Sequence, residues 1–131
     1  MSIKAGLEKY ATFTGRLPDF EMLETLCACD ICVQPDPINA LNEVSTMNKA
    51  MEYMAIEKPV VTFNLKETRA SCADAAVYAK PSDTIDLADK IMHLADNPDL
   101  RDEMAKKGKK RVEMFLSWEH SVPNLIAAYN S

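Results

Sequence analysis

At 131 residues the chain suits one domain and is long enough to bury a core, and its 47% hydrophobic and 27% charged content is ordinary for a globular protein. A net charge of −5 argues against a sequence-general nucleic-acid binder. No apolar run approaches the roughly 18 residues that span a membrane, and residues 1–8 lack the apolar core of a signal peptide, so a cytoplasmic location is expected.

In chain order, Ala11-Thr12-Phe13-Thr14 predicts a short first strand, ended by Gly15 and the Arg16-Leu17-Pro18 loop. Asp19 is placed to cap a helix running to about Cys29, with Leu23, Leu26 and Cys27 on its inner side. Asp30-Ile31-Cys32-Val33-Gln34 predicts a second strand, closed by Pro35. The loop Asp36–Asn42 follows and is longer than a minimal βα turn, which suits a functional role. A helix is predicted from Ser45 to about Ala55, then the strand Pro59-Val60-Val61-Thr62-Phe63. A short helix from Thr68 to about Ala73 and a fourth strand, Ala76-Val77-Tyr78-Ala79, complete the alternating part.

The remainder reads as helical. Ser82 is placed to cap a helix whose inner face carries Ile85, Ala88, Ile91, Met92 and Ala95. Asn97-Pro98 opens another, with Pro at the first helical position and Asp99 and Asp102 in its first turn, reaching about Phe115. Ser117-Trp118 opens a last helix, broken or bent near Pro123 and ending at Tyr129. Strands alternate with helices, and two strands are continuous apolar runs. The expected fold is therefore α/β: a Rossmann-like parallel sheet of about four strands with flanking helices and a helical C-terminal tail. The chain has no internal repeat or low-complexity linker.

Cys27, Cys29 and Cys32 superficially suggest a metal cluster, but there is no second CxxC pair and neither His93 nor His120 stands at finger-like spacing. They read better as small buried hydrophobes, and no metal is expected. Lys106 to Arg111 places five cations in six positions, in the C-terminal half of a helix with an acidic first turn, as the helix dipole favours. A membrane-surface role for this cluster stays open. His93 is expected at the surface, and His120, beside Trp118, near a seam with another domain.

The segment Asn42–Ala55 carries the most chemistry. On a helix from Ser45, the apolar residues Val44, Met47, Met51 and Ala55 fall on one face. Ser45, Asn48, Lys49 and Glu52 fall at i, i+3, i+4 and i+7 on a neighbouring polar face. A polar stripe rising from a helix N-terminus offers backbone N–H groups to an anion and side chains to what lies beyond it. A solvated face of an amphipathic helix gives the same spacing, so both readings stand at this point.

Taken together, Asp30-Ile31-Cys32-Val33 ending at Pro35, Asn42–Ala55 with Lys58-Pro59-Val60-Val61 behind it, and Ser117-Trp118 resemble group 1 (family 4) retaining glycosyltransferases. Asp36-Pro37, Val44–Lys49, Glu52–Ala55 and Leu65–Arg69 resemble a bacterial branch of that family, acting in polysaccharide biosynthesis. The resemblance spans Thr12 to Tyr129. It implies the GT-B fold, two Rossmann-like domains facing a cleft, of which residues 1–131 resemble the later part of the C-terminal, donor-binding domain. The acceptor domain and the first strands of the donor domain have no counterpart in these residues.

The resemblance implies that a nucleotide-sugar donor binds here, with no cofactor and no metal. Glu52, before Met54-Ala55 at the helix end, matches the family's ribose-binding glutamate; a carboxylate accepts hydrogen bonds from two vicinal hydroxyls. The family's sugar-contacting glutamate would fall at Val44, and the carboxylate here is one residue earlier, at Glu43. Backbone amides from Val44 through Ser45 to Thr46 would hold the diphosphate, with Asn48 and Lys49 alongside. Glu67 matches the acid of the following loop, although Asn64-Leu65-Lys66 replaces the usual glycine-rich approach. Glu57 stands where a glycine commonly closes the helix.

No catalytic residue is assigned. The implied partners are a nucleotide-sugar and an N-terminal acceptor domain supplied by the parent protein, with no nucleic acid. Peripheral attachment of the parent to the inner face of the membrane, and self-association of this segment, stay open. A strand at Thr12 lacking its family neighbours should move beside the strand at Ile31 or pair with another chain, because exposed edges invite pairing. The alternative function is a non-catalytic Rossmann-like binding or scaffold module.

Overall fold

The structure, a computed structural model, describes residues 6, 7 and 9–130. Three parallel strands, β1 (Cys32–Gln34), β2 (Val60–Phe63) and β3 (Ala76–Ala79), lie in the order β1-β2-β3. Val60 stands between Cys32 and Ala76, and Thr62 between Gln34 and Tyr78. All four residues of β2 are buried, as the continuous run Val60-Val61-Thr62-Phe63 requires of a central strand covered on both faces.

The helices are α1 (Asp19–Ala28), α2 (Asn48–Ala55), α3 (Lys66–Cys72), α4 (Thr84–Asp96), α5 (Pro98–Arg111) and α6 (Trp118–Tyr129). Residues Val112–Leu116 form a π-helical turn between α5 and α6. One half of the core joins Ala50 and Met54 of α2 to Val60, Cys72, Ala75 and Ala76, with Val112 and Leu116 packed against it. The other half joins Val61, Phe63, Leu65 and Ala79 to Leu87 and Leu94 of α4, with Leu100 of α5 alongside. Alternation along β2 divides the two: Val60 points to one face and Val61 to the other.

Several expectations change. Ala11–Thr14 forms no strand: its backbone joins no ladder, and Phe13 is 79% exposed. A four-residue segment that buries nothing and pairs with nothing gains too little to order as a strand. The sheet therefore has three strands, and among the described residues no strand lies on the side of β1 away from β2.

On α1, Leu23 and Cys27 are exposed and no residue is fully buried. Pro18 rather than Asp19 is its N-cap residue. Cys29 is half-buried, its Sγ–H donating to the Thr25 carbonyl oxygen at 3.2 Å, while Cys32 and Cys72 are buried. Burial pushes both of those thiols up to about 11, so they remain protonated and act as small hydrophobes.

Asp83, not Ser82, caps α4: its Oδ1 accepts from the backbone N–H groups of Ile85 and Asp86 at 3.1 and 3.0 Å. Ser82 takes a left-handed backbone (φ +58°), and its hydroxyl oxygen accepts from Ile38 N–H. Leu87 and Leu94 are the buried residues of α4, with Ile91 partly buried between them, whereas Ile85 and Met92 are exposed. Two apolar stripes run along this helix, and the one bearing two leucines faces the sheet.

α3 begins two residues before the expected Thr68. α5 starts at Pro98 as the sequence reads, and α6 continues through Pro123 without a break. The basic run on α5 is partly consumed by packing. Lys109 pairs with Glu57 at 2.8 Å, Lys107 with Glu103 at 2.8 Å, and Arg111 donates to the carbonyl oxygens of Ser71 and Ala70 at the end of α3. His93 is exposed, and the Nε2 of His120 lies 3.0 Å from the Glu113 carbonyl oxygen. No helix among the described residues is long and apolar enough to cross a membrane.

Candidate functional site

The carboxyl ends of β1 and β2 open onto two connections: the long loop from Pro35 to Met47, and the short turn Asn64-Leu65 into α3. Ligands of parallel α/β sheets bind outside this edge. The short turn is held by Thr68, whose hydroxyl oxygen accepts from Leu65 N–H at 3.1 Å and lies 2.9 Å from the Phe63 carbonyl oxygen. That anchorage fixes the position of Glu67, one residue before Thr68.

The long loop folds on its own side chains. Asn39 Oδ1 accepts from Asn42 N–H at 2.8 Å, Asn42 Nδ2 donates to the Pro37 carbonyl oxygen at 2.7 Å, and Glu43 N–H donates to the Asn39 carbonyl oxygen at 3.0 Å. This Asx-type turn spans residues 40–44. Ser45 and Thr46 then run without regular structure, and α2 starts at Asn48 with Met47 as its N-cap.

The helix thus begins three residues later than expected. The turn consumes the residues before Ser45, and the Thr46 hydroxyl donates to Glu67 Oε2 at 2.9 Å rather than supporting an earlier helical turn. The predicted apolar face shifts with it. Val44 is 71% exposed and Ala55 is exposed, while Ala50 and Met54 are the buried pair, with Met51 and Tyr53 partly buried.

Two predicted site residues meet directly: Thr46 and Glu67 bridge the two connections. Lys49 does not stand free, since its Nζ lies 3.1 Å from Asp36 Oδ1. Glu43 sits half-buried in the turn, and among the described residues its carboxylate makes no hydrogen bond or ion pair. Glu52 is exposed one turn into α2. With Asn48, Met51 and Ala55 it faces Val112 and Leu116 of the π turn across a groove of about 310 Å³. Asn48, Lys49 and Glu52 hold the predicted stripe, whereas Val44, Ser45 and Thr46 belong to the approach rather than the helix.

The free N–H groups of the helix start therefore move to Asn48, Lys49 and Ala50, where no acidic side chain occupies the first turn. Tyr53, below Glu52, has its hydroxyl pushed up by burial first and then by the neighbouring Cys32, Glu52 and Asp36.

Asp36 and Gln34 were not singled out as site residues from the sequence. Asp36 holds Lys49 with one carboxylate oxygen, while its other, Oδ2, is buried without a partner among the described residues. Gln34, the last residue of β1, is 0% exposed, and neither its Nε2 nor its Oε1 has a partner among the described residues. Each such orphan costs about 1–3 kcal/mol. A glutamine ending an otherwise apolar strand was the available signal for this polar strand end.

The family description Glycosyl transferases group 1 matches residues 1–97. No curated protein matches the chain. Among solved structures, sucrose-phosphate synthase from Thermosynechococcus elongatus is similar, with a TM-score of 0.81 and 20% identity over 98% of this chain. This chain spans 32% of that protein's length, and the likeness is one of fold: a Rossmann-like domain of the GT-B type. With the family matched over most of its length, the chain belongs to the group 1 glycosyltransferases.

Proposed function

We propose that this chain is the nucleotide-sugar donor-binding segment of a retaining glycosyltransferase, one that transfers a sugar to a glycan or lipid-linked acceptor in bacterial polysaccharide synthesis at the cytoplasmic side. The observation that carries the reading is the 2.9 Å bridge from Thr46 to Glu67. It draws two connections bearing predicted donor contacts to one edge of the sheet, beside the acid-free start of α2.

In this reading the first-turn amides of α2, with Ser45, Thr46, Asn48 and Lys49, receive the diphosphate. Glu52 accepts hydrogen bonds from the two ribose hydroxyls. Glu43, the backbone at Val44 and Glu67 flank the donor sugar. Leaving-group charge is stabilised by positioned donors, with no base from this chain and no metal. The acceptor domain comes from the rest of a longer parent, in keeping with the 32% share of the matched structure that the chain spans. Alone, the segment is inactive.

Glu52→Ala in the parent should weaken donor binding about ten-fold or more, the range for losing charge-assisted hydrogen bonds. Unchanged donor affinity would refute the ribose role.

One observation favours the alternative, a non-catalytic Rossmann-like module: Asp36 already occupies the Lys49 ammonium. Asp36→Asn separates the two. A donor site should gain or lose nucleotide affinity when Lys49 is released, and a scaffold should show neither.

A further inference from the structure

A second cleft, of about 260 Å³, opens at the carboxyl ends of β2 and β3. Asn64 lines it from the end of β2, Tyr78 and Lys80 from β3 and the residue after it, Arg69 from α3, and Asp86 and Lys90 from α4. Asn64 also belongs to the turn after β2, and none of the others belongs to the donor-binding set. Three cations face one carboxylate, leaving two positive charges in a chain whose net charge is −5.

Arg69 is held in advance. Its guanidinium carbon lies 3.7 Å from the centroid of the Tyr78 ring, and its Nε donates to Asn64 Oδ1 at 2.7 Å. Tyr78 is fixed in turn by its hydroxyl, which donates to the Ala73 carbonyl oxygen at 2.8 Å. Stacking on one face and a bond on the Nε edge leave the two Nη groups, which have no partner among the described residues. Those two groups are the parallel donors that recognise an oxyanion bidentately, with little entropy left to lose on binding.

The other cations are also largely unspent. Lys80 gives its backbone N–H to Asp86 Oδ2 at 2.6 Å, while its ammonium forms no ion pair among the described residues. Lys90 stands 3.9 Å from Asp86 Oδ1, a long contact between partly exposed groups.

We propose that this cleft is an oxyanion-binding site for a phosphate monoester. Arg69 supplies the bidentate contact, and Lys80 and Lys90 supply the balancing charge. A phosphate monoester carries about −1.5 to −2 at neutral pH and matches the two uncompensated positive charges, whereas a carboxylate would leave one unmatched. The site is separate from the donor reading and stands if that reading fails.

The test is an NMR titration of the chain with inorganic phosphate, following backbone amides and the Arg69 Nε–H. Saturable shifts at Arg69, Tyr78, Lys80 and Lys90 are expected. Arg69→Gln should lower phosphate affinity about ten-fold or more, and acetate at equal ionic strength should bind at least about ten-fold more weakly. Lys80→Gln, at an ammonium that forms no ion pair among the described residues, should also weaken binding and keeps the test decisive should Arg69→Gln fail to fold. Shifts that never saturate, shifts confined to Lys106–Lys110 or to residues 43–52, acetate binding equal to phosphate, or a Lys80→Gln variant with unchanged affinity would each overturn the proposal.

Discussion

The two ends of α2 are finished in different ways. At its C-terminus, Glu57 N–H donates to the Met54 carbonyl oxygen at 3.0 Å and Lys58 N–H to that of Tyr53 at 2.9 Å, a Schellman closure. Met54 is wholly buried there, against Gly108 of α5. At the N-terminus no side chain caps the helix, and the preceding loop is tied down by exposed polar contacts: Lys49 to Asp36, Thr46 to Glu67, and Ile38 to Ser82. Exposed pairs of this kind contribute about 0–1 kcal/mol each, against about 2–5 kcal/mol for a buried methionine. The helix is secured by its far end, and its near end stays polar.

The strongest way to break this contrast is to empty the secured end. Met54→Ala should cost about 2–5 kcal/mol in denaturant unfolding. Loss within the range of a surface substitution would mean that the C-terminal end is not the anchor. Next comes Gly108, where an added Cβ would lie 2.9 Å from Met54 Cγ and 3.1 Å from its Cβ. Gly108→Val should cost about 1–3 kcal/mol through overpacking, and a neutral result would show that α2 and α5 can part without penalty.

A pH series gives a smaller effect on the same half of the core. Cys32 and Cys72 have their thiols raised to about 11 from an ordinary 9.0. The folded chain keeps these protons where the unfolded chain releases them, so stability is fully present below pH 9 and falls as pH rises toward 11. Cys72→Ala should flatten that fall in unfolding measurements, and an unchanged slope would remove the thiol from the account. The smallest effect is expected at Glu57, a non-glycine at φ +58°. Glu57→Gly should raise the melting temperature modestly, because relief of the left-handed backbone outweighs an exposed pair with Lys109.

How much of this was legible in the sequence depended on whether the cause was local. The run Val60-Val61-Thr62-Phe63 and the Asn97-Pro98 start signal act over a few residues, and both elements lie where they read. The left-handed closure at Glu57 shows that a glycine position can be filled at some backbone cost when the helix above it is well packed. The start of α2 is not legible locally because its determinants lie elsewhere: the Asn39 side chain builds the turn, and Glu67, 21 residues on from Thr46, takes its hydroxyl. The inner face of α4 depended on which of two apolar stripes the sheet would accept. Ala11–Thr14 has strand-like residues and no ladder to join. In the candidate site, Glu52, Lys49 and Glu67 are read from pattern and resemblance, whereas Asp36 enters only through its contact with Lys49, 13 residues on.

The proposed donor-binding edge joins the near end of α2 to the turn after β2. The direct measurement is an NMR titration of this chain with a series of nucleoside diphosphates, followed residue by residue. Saturable shifts at residues 43–52 and 64–68 are expected. Shifts confined to other parts of the chain would contradict it.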